Sequence, residues 1–157
     1  MLEHGVKGSE IDALLLTHLH SDHIVDLFQL IISSWHQGRL KPQKIFGPLG
    51  TKNYVDRLMS LWDPELKQRI AHEKRPSTKA LEVEVTEIDN ETLMDFKGLT
   101  VRSVEVLHQP VKKAFGFIFE NWFDTKPLLI IIFFLFGAAA GITNVFRAAK
   151  RMQEQED

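Results

Sequence analysis

The sequence predicts an α/β domain over about its first 120 residues, followed by one C-terminal transmembrane helix. Up to that point, short apolar runs typical of strands alternate with longer stretches of helical, amphipathic periodicity. The later stretch 127–146 has no charged residue. The overall composition, 44% hydrophobic and 25% charged, is ordinary for a globular protein.

Charge and cysteine content narrow the possible functions. The net charge of -2 gives no general attraction to nucleic acid, which weakly disfavours a large RNA substrate but leaves room for a local basic patch. There is no cysteine, so disulfides and thiolate metal sites are excluded, and any zinc must bind His, Asp or Glu. The N-terminus has no basic region followed by an apolar core, so no signal peptide is predicted.

The first strand is predicted at Ile11–Thr17 and ends in a cluster of metal-ligand residue types. His18 and His20 alternate along an extended chain, so their rings point the same way, and Asp22 and His23 follow where the strand ends. A polar turn that happens to be rich in histidine is the alternative. Because three of the seven histidines fall within six residues, we favour a metal site.

A helix is predicted after this cluster, with Ser21 or Asp22 as its N-cap and Gly38 just past its end. Its apolar stripe has helical spacing and consists of Ile24, Leu27, Phe28, Ile31, Ile32 and Trp35. Asp22 could therefore be only a helix cap, although its histidine neighbours favour a ligand. His36, near the helix end, is predicted to lie at the surface beside the helix C-terminus.

A second strand is predicted at Lys44–Phe46, and Thr51 is predicted to cap a helix that runs to about Trp62. Pro64 is predicted to open a further helix, to about Glu73. Five basic residues lie across the end of this helix and in the loop after it: Lys67, Arg69, Lys74, Arg75 and Lys79. They could contact a substrate phosphate, but a solvated helix end is the favoured interpretation.

The third part of the sequence has the alternation of β-strands. Val83 and Val85 alternate with acidic residues, and later apolar positions continue a period of two with a predicted bulge near Ser103. His108 lies at the end of the last of these strands, before Gln109-Pro110. A lone histidine at a strand end is usually a polar loop residue that binds no metal.

Three motifs resemble the metallo-β-lactamase fold hydrolases, in particular the ribonuclease Z and arylsulfatase-like branch. Thr17-His18-Leu19-His20-Ser21-Asp22-His23-Ile24 resembles the His-x-His-x-Asp-His signature, and Gly47-Pro48-Leu49-Gly50-Thr51 resembles a Gly-Pro-x-Gly-Thr turn. His108-Gln109-Pro110, followed by Ala114-Phe115-Gly116-Phe117, resembles the segment that carries the third metal histidine. The resemblance covers residues 1 to about 120.

This resemblance implies a partial αββα sandwich, truncated at both ends, that hydrolyses a small-molecule or nucleic-acid phosphodiester with one or two zinc ions. It implies that His18, His20 and His108 hold the first metal. Asp22 and His23 would begin the second site, with Asp22 as the catalytic residue that orients the attacking water. The family's later bridging Asp and final His have no counterpart in the sequence. We therefore expect one tightly bound metal at most and impaired activity.

The tail, 121–157, predicts a membrane helix over about 127–146, long enough to span the hydrocarbon core. Gly137 and Gly141 form a small-residue face that a partner helix could approach closely. The segment resembles ATP synthase subunit I, which implies anchoring in the bacterial inner membrane. The basic residues after the helix predict a cytoplasmic C-terminus. With that orientation the hydrolase part would have to cross the membrane without a signal segment. Either the orientation is inverted or the chain joins two unrelated pieces, and we favour the second hypothesis.

Two other functions remain open. The chain could be a membrane-embedded assembly or interaction protein whose hydrolase part is vestigial. It could also be an inert fragment that folds poorly because a sheet edge is unpaired.

Overall fold

The computed structural model describes residues 5–120, which fold as an α/β unit. Its strands are β1 Leu14–Leu15, β2 Gln43–Gly47, β3 Val83–Glu87, β4 Leu93–Phe96, β5 Leu99–Glu105 and β6 Phe115–Glu120. Its α-helices are α1 Ser21–Ile24, α2 Leu27–His36 and α3 Thr51–Glu73. The predicted alternation of strands and helices is confirmed over this range, except that β4 was not predicted.

The strands form two three-stranded sheets. The first, in the order β1-β2-β3, is parallel, with Ile45 opposite Leu14 and Val85. The second, in the order β4-β5-β6, is antiparallel, with Val101 opposite Met94 and Phe119. The helices supply the long connections that parallel strands require, α1 and α2 between β1 and β2, and α3 between β2 and β3.

The first sheet packs on both faces at β1 and β2, whereas its edge strand β3 alternates Val83 and Val85 with exposed Glu84. One face packs against the helices through a buried cluster of Leu16, Ile24, Leu27, Ile31, Ile45 and Val55. The other packs against the second sheet through Ile88, Met94, Val101 and Phe115, with Leu15 and Phe46 against them. The described residues therefore form three layers, one of helices and two of strands.

The helix predicted after the histidine cluster is two helices rather than one. Its chain turns at residues 25–26, between α1 and α2. The predicted cap was wrong: His20 occupies the N-cap of α1, and no side chain caps it, while Asp22 lies inside the helix. Gly38, with φ +87°, does follow the end of α2 as predicted.

The two helices predicted on either side of Pro64 are one continuous helix, α3. Proline removes one backbone donor, and here the flanking turns still bury Val55 and Leu66 in the core. Tertiary packing on both sides therefore maintains a helix that local propensity alone would end. The predicted Thr51 cap is also displaced by one residue, because Gly50, with φ +102°, is the N-cap.

The predicted bulge near Ser103 is absent from the second sheet, where β5 pairs with β6 in unbroken register from Thr100 to Glu105. Ser103 instead occupies a core position, fully buried, and its hydroxyl donates to the Asp89 carbonyl and accepts from the Thr92 amide at 3.0 Å. A polar residue at a buried position broke the apolar alternation and gave the false signal of a bulge.

The predicted transmembrane helix at 127–146, with Gly137 and Gly141, lies outside the described residues. Within 5–120 no helix is both long enough and apolar enough to cross a membrane. The division of the chain at residue 120 into a hydrolase domain and a membrane tail stays a prediction.

Candidate metal centre

The ends of two strands from different sheets meet beside the histidine cluster. Beyond β1, the carbonyl of Thr17 accepts a 2.9 Å hydrogen bond from the Phe115 amide at the start of β6. His108 lies in the loop between β5 and β6, where its carbonyl accepts from the Val111 amide at 2.8 Å. These contacts bring residues that are ninety positions apart in the sequence to one edge of the molecule.

His18, His20 and His108 converge at this edge. One ligand-type nitrogen from each ring lies within 4.8 Å of the other two. Nε2 of His18 and Nδ1 of His20 are 3.1 Å apart, and the His18 ring centroid is 4.6 Å from that of His108. The structure thus brings together the three histidines that the resemblance implies for a first metal.

The spacing of these nitrogens is close to that of a zinc site. Two nitrogens bound to one tetrahedral zinc at about 2.0–2.1 Å are separated by about 3.3 Å. The His18–His20 pair already has this separation, and the His108 nitrogen lies within 4.8 Å of both. Three imidazoles with a fourth position open to solvent are the donor set of a catalytic zinc, so the residues present fit the ion.

Thr17 orients the most buried of these rings. Its Oγ1 lies 2.9 Å from Nδ1 of His18. When Nδ1 carries the ring proton and donates it to this hydroxyl, Nε2 keeps its lone pair and faces His20. A hydrogen bond of this kind on the far nitrogen fixes the tautomer of a metal-binding histidine.

Burial also favours the ligand form of His18. The residue is buried, whereas His20 and His108 are exposed. Burial lowers the pKa of His18 below its ordinary value, and the neighbouring rings of His23, His108 and His20 lower it further, while Asp22 acts in the opposite direction. His18 is therefore neutral near pH 7, as metal coordination requires.

Asp22 and His23 lie next to the cluster, on the first turn of α1. The His23 ring centroid is 4.5 Å from that of His18, and Nε2 of His23 is 3.6 Å from the Asp22 carboxylate. Both side chains are well exposed. They do not join the group of three histidines, so they are available for a second ion or for water.

The five basic residues between 67 and 79, in the last turns of α3 and just after it, lie away from the cluster. Lys67 is sixteen residues from the helix start beside the site, roughly 24 Å along the axis. Carboxylates of the same segment pair with several of them: Asp63 with Lys67 at 2.7 Å, and Glu73 with Arg75 at 2.5 Å and with Arg69 at 3.0 Å. This arrangement agrees with the interpretation as a solvated helix end. His36, also outside the cluster, contacts Glu73 at 3.5 Å.

Sequence reasoning missed the role of Glu87, the last residue of β3. One of its carboxylate oxygens accepts hydrogen bonds from the amides of Gly50 at 2.8 Å and Lys52 at 3.0 Å. These amides belong to the start of α3, thirty-five or more residues earlier. Only the parallel pairing of β2 with β3 brings them together, and no local pattern signals it.

Residues 1–128 match the family model described as Anti-Pycsar protein Apyc1. The chain belongs to the Anti-Pycsar protein Apyc1 family. The match takes in both parts of the histidine cluster, the segment around residues 18–23 and His108.

Curated relatives of this Apyc1-family chain include bacterial ribonucleases Z. Ribonuclease Z of Mycobacterium sp. (strain KMS) is 38% identical over 119 residues, which cover 74% of this chain and 41% of the relative. Ribonuclease Z of Mycolicibacterium gilvum is 36% identical over 120 residues, covering 74% and 42% respectively. The resemblance to ribonuclease Z is therefore confirmed, although the chain spans only about two fifths of the length of these relatives.

The fold also has a counterpart among solved structures. The metallo-β-lactamase fold protein YhfI from Bacillus subtilis superposes with a TM-score of 0.52 and 17% identity, over 76% of this chain and 40% of that one. The Apyc1-family unit therefore has a metallo-β-lactamase-like fold.

A second family model matches residues 114–148, and its description is "Putative F0F1-ATPase subunit Ca2+/Mg2+ transporter". The resemblance of the tail to an ATP synthase subunit is thereby confirmed at the level of sequence. Most of the matched range lies outside the described residues.

Proposed function

We propose that this chain is a zinc-dependent hydrolase of the metallo-β-lactamase fold that acts on phosphodiesters. The observation that carries the proposal is the convergence of His18, His20 and His108 within 4.8 Å. The ribonuclease Z relatives support a phosphodiester as the substrate class. Because the described residues beside the cluster offer only Asp22 and His23 for a second ion, activity of this chain is proposed at a level below that of a site with two metals.

In this proposal the three histidines hold one zinc ion through neutral ring nitrogens. Zinc supplies Lewis-acid polarisation of a phosphoryl oxygen and acidifies water at the site. The exposed carboxylate of Asp22 orients the attacking water and accepts its proton, and the neighbouring His23 steadies that carboxylate. The exposed rings of His20 and His108 leave the site open to a substrate from solvent.

The decisive experiment measures zinc content and phosphodiester hydrolysis on the same full-length preparation. We expect about one zinc per chain by mass spectrometry after dialysis, and slow hydrolysis of bis(p-nitrophenyl) phosphate. His20→Ala should lower both at least about 10-fold, since it leaves two of three ligands. His72→Ala, which removes an exposed histidine on α3 outside the cluster, is the matched control and should change neither.

Wild-type protein that holds no zinc, or a His20→Ala variant that hydrolyses as well as wild type, would contradict the proposal. Two tightly bound zinc ions per chain would contradict the single-metal form of the proposal. Beside the cluster, the described residues offer only two further ligands, Asp22 and His23, which are too few to bind a second ion tightly.

A second function is favoured by the match of residues 114–148 to the ATPase-subunit family. In this alternative the chain is an assembly or interaction protein of the bacterial inner membrane, bound to a helix partner through Gly137 and Gly141. Deletion of 127–146 would then abolish membrane association and partner capture, while His18→Ala with His20→Ala would leave both unchanged. The opposite outcome would favour the hydrolase.

A further inference from the structure

We infer that Glu87 is a positioning residue for the metal centre. It holds the start of α3 and the preceding turn, Gly47–Gly50, against the segment that carries His18 and His20. This inference rests on the proposed function, since it concerns the same site. The side chain belongs to neither the histidine cluster nor any of the three motifs.

The first step is the hydrogen bonding at the start of α3. Gly50 is the N-cap of this 23-residue helix, and its backbone φ of +102° suits glycine, which has no side chain with which to cap. A single oxygen of Glu87 accepts from the Gly50 and Lys52 amides instead. A carboxylate here also interacts favourably with the positive end of the helix dipole. Glu87 therefore supplies from β3 the cap that α3 lacks.

The second step leads from the turn to the histidines. A Cβ placed on Gly50 would lie 3.3 Å from Cδ1 of Leu19, so the Gly50 backbone packs directly against the residue between His18 and His20. The same turn is closed by hydrogen bonds from the Thr51 hydroxyl to the Pro48 carbonyl at 2.6 Å, and from the Ile88 amide to the Gly47 carbonyl at 2.8 Å. The turn thus forms one wall behind the ligand segment.

The third step is the limited backbone support of that ligand segment. The Leu16 amide donates to the Phe46 carbonyl at 2.7 Å and the Thr17 carbonyl accepts from the Phe115 amide at 2.9 Å, but residues 18–20 lie beyond these bonds and before α1, which begins at Ser21. The orientation of Leu19, and with it the separation of the two flanking rings, depends on what packs behind it. Without the Glu87 hydrogen bonds, the Gly50 amide loses its acceptor and the Gly50 end of the turn is held less firmly against Leu19, so the spacing of the histidine nitrogens is less well fixed.

The test is Co²⁺ binding by the full-length chain, followed through the visible d–d spectrum of the bound ion. Glu87→Ala should weaken Co²⁺ affinity about 10-fold, the lower end of the range for residues that orient metal ligands, and should alter the spectrum. Glu87→Gln keeps an acceptor oxygen at the same reach and should restore both to near wild type. Loss of a helix cap should also lower the Tm of Glu87→Ala by about 4 °C.

Two controls separate positioning from a general loss of stability. Asp56→Ala removes a carboxylate from the first turns of the same helix, where it pairs with the Lys52 side chain at 2.7 Å without touching the turn. Leu66→Ala destabilises the core at the far part of α3. Both should leave Co²⁺ affinity and spectrum unchanged in the folded protein.

Glu87→Asp covers the case in which Glu87→Ala does not fold. Its shorter side chain keeps the charge but cannot reach both amides, so it should bind Co²⁺ more weakly than Glu87→Gln. Wild-type affinity in Glu87→Ala or Glu87→Asp, or equal weakening in Glu87→Gln and Glu87→Ala, overturns the inference while the proposed function stands. A wild-type chain that binds neither Co²⁺ nor Zn²⁺ overturns both.

Discussion

Gly47 is a residue whose small size is required by its neighbours. It ends β2, and a Cβ added to it would lie 2.5 Å from Oγ1 of Thr51 and 3.2 Å from Cβ of Leu16. Both neighbours are buried. A methyl group at this position must therefore push the end of β2 away from Thr51, at the start of α3, and from Leu16, two residues before His18.

We predict that Gly47→Ala lowers the free energy of unfolding by about 1–3 kcal/mol, the usual cost of overpacking a closed site. Urea denaturation measures the change. Gly116→Ala is the matched control on another strand, because the nearest side-chain atom to its added Cβ, in Val106, is at 3.5 Å, an ordinary contact. Equal stability losses in the two variants would contradict the argument from the close approach.

At this scale the sequence predicted most where the signal is local. The spacing of His18, His20, Asp22 and His23 indicated a metal site before any fold was known, whereas the convergence of His108 followed only from a family resemblance. Glu87 was missed as a positioning group because its contacts join residues thirty-five or more positions apart, and spacing along the chain carries no information about them. Thr17 was missed although it is next to His18, because the sequence does not show that its hydroxyl faces the imidazole ring.

At the scale of elements, α3 is the clearest departure from prediction. Helix propensity places a break at Pro64, yet the chain remains helical from Thr51 to Glu73. Pro64 is exposed, and its ring removes the amide that would otherwise donate to the carbonyl of Ser60. Packing of the helix on both sides of this point outweighs the local cost.

We predict that Pro64→Ala raises the free energy of unfolding by about 1–3 kcal/mol, since it restores the amide and removes the clash of the proline ring. Thermal or urea unfolding measures the gain, with Gln68→Ala one turn later as a control for an exposed substitution to alanine. A decrease in stability would mean that the proline supports the native path of the helix.

The second sheet also differs from prediction, at Ser103. Val101 and Ser103 both point into the core, but only one of them is apolar. An apolar pattern alone cannot distinguish a buried serine from a shift of phase, so a bulge was predicted where the pairing is regular. The buried hydroxyl is satisfied by the backbone at Asp89 and Thr92, which is what allows it there.

At the scale of the whole described unit, Asp12 joins the two sheets at the edge opposite the histidines. It leads into β1, and its carboxylate contacts Lys41 before β2 at 2.7 Å and Lys97 in the β4–β5 turn at 3.0 Å. Hydrogen bonds from these two lysines lower the pKa of Asp12 to about 2, from an ordinary value of 3.8.

This shift predicts how stability depends on pH. Because the pKa is depressed in the folded state, the contribution of Asp12 is complete above the unfolded value of 3.8 and is lost as the pH falls toward about 2. The group is substantially exposed, so solvent screening limits the contribution to below about 1 kcal/mol. Asp12→Asn should therefore be less stable than wild type at pH 7, by a margin that shrinks as the pH is lowered below 4.

Urea denaturation at pH 7, 4.5 and 3 measures this margin, and 1 M salt should reduce it at pH 7. Asp63→Asn removes an ion pair with Lys67 that lies within one helix and is the control for a contact that joins no separate elements. A margin that stays constant across the pH range would exclude the ionised carboxylate as its source.

The hydrogen bond from the Phe115 amide to the Thr17 carbonyl has a practical consequence. It is a backbone link between the two sheets, placed directly before His18. Exchange of this one amide with deuterated solvent therefore reports whether the two sheets are docked beside the histidines. A ligand ion that bridges His18 and His108 should slow that exchange, and should do so in a chain that turns over no substrate at all.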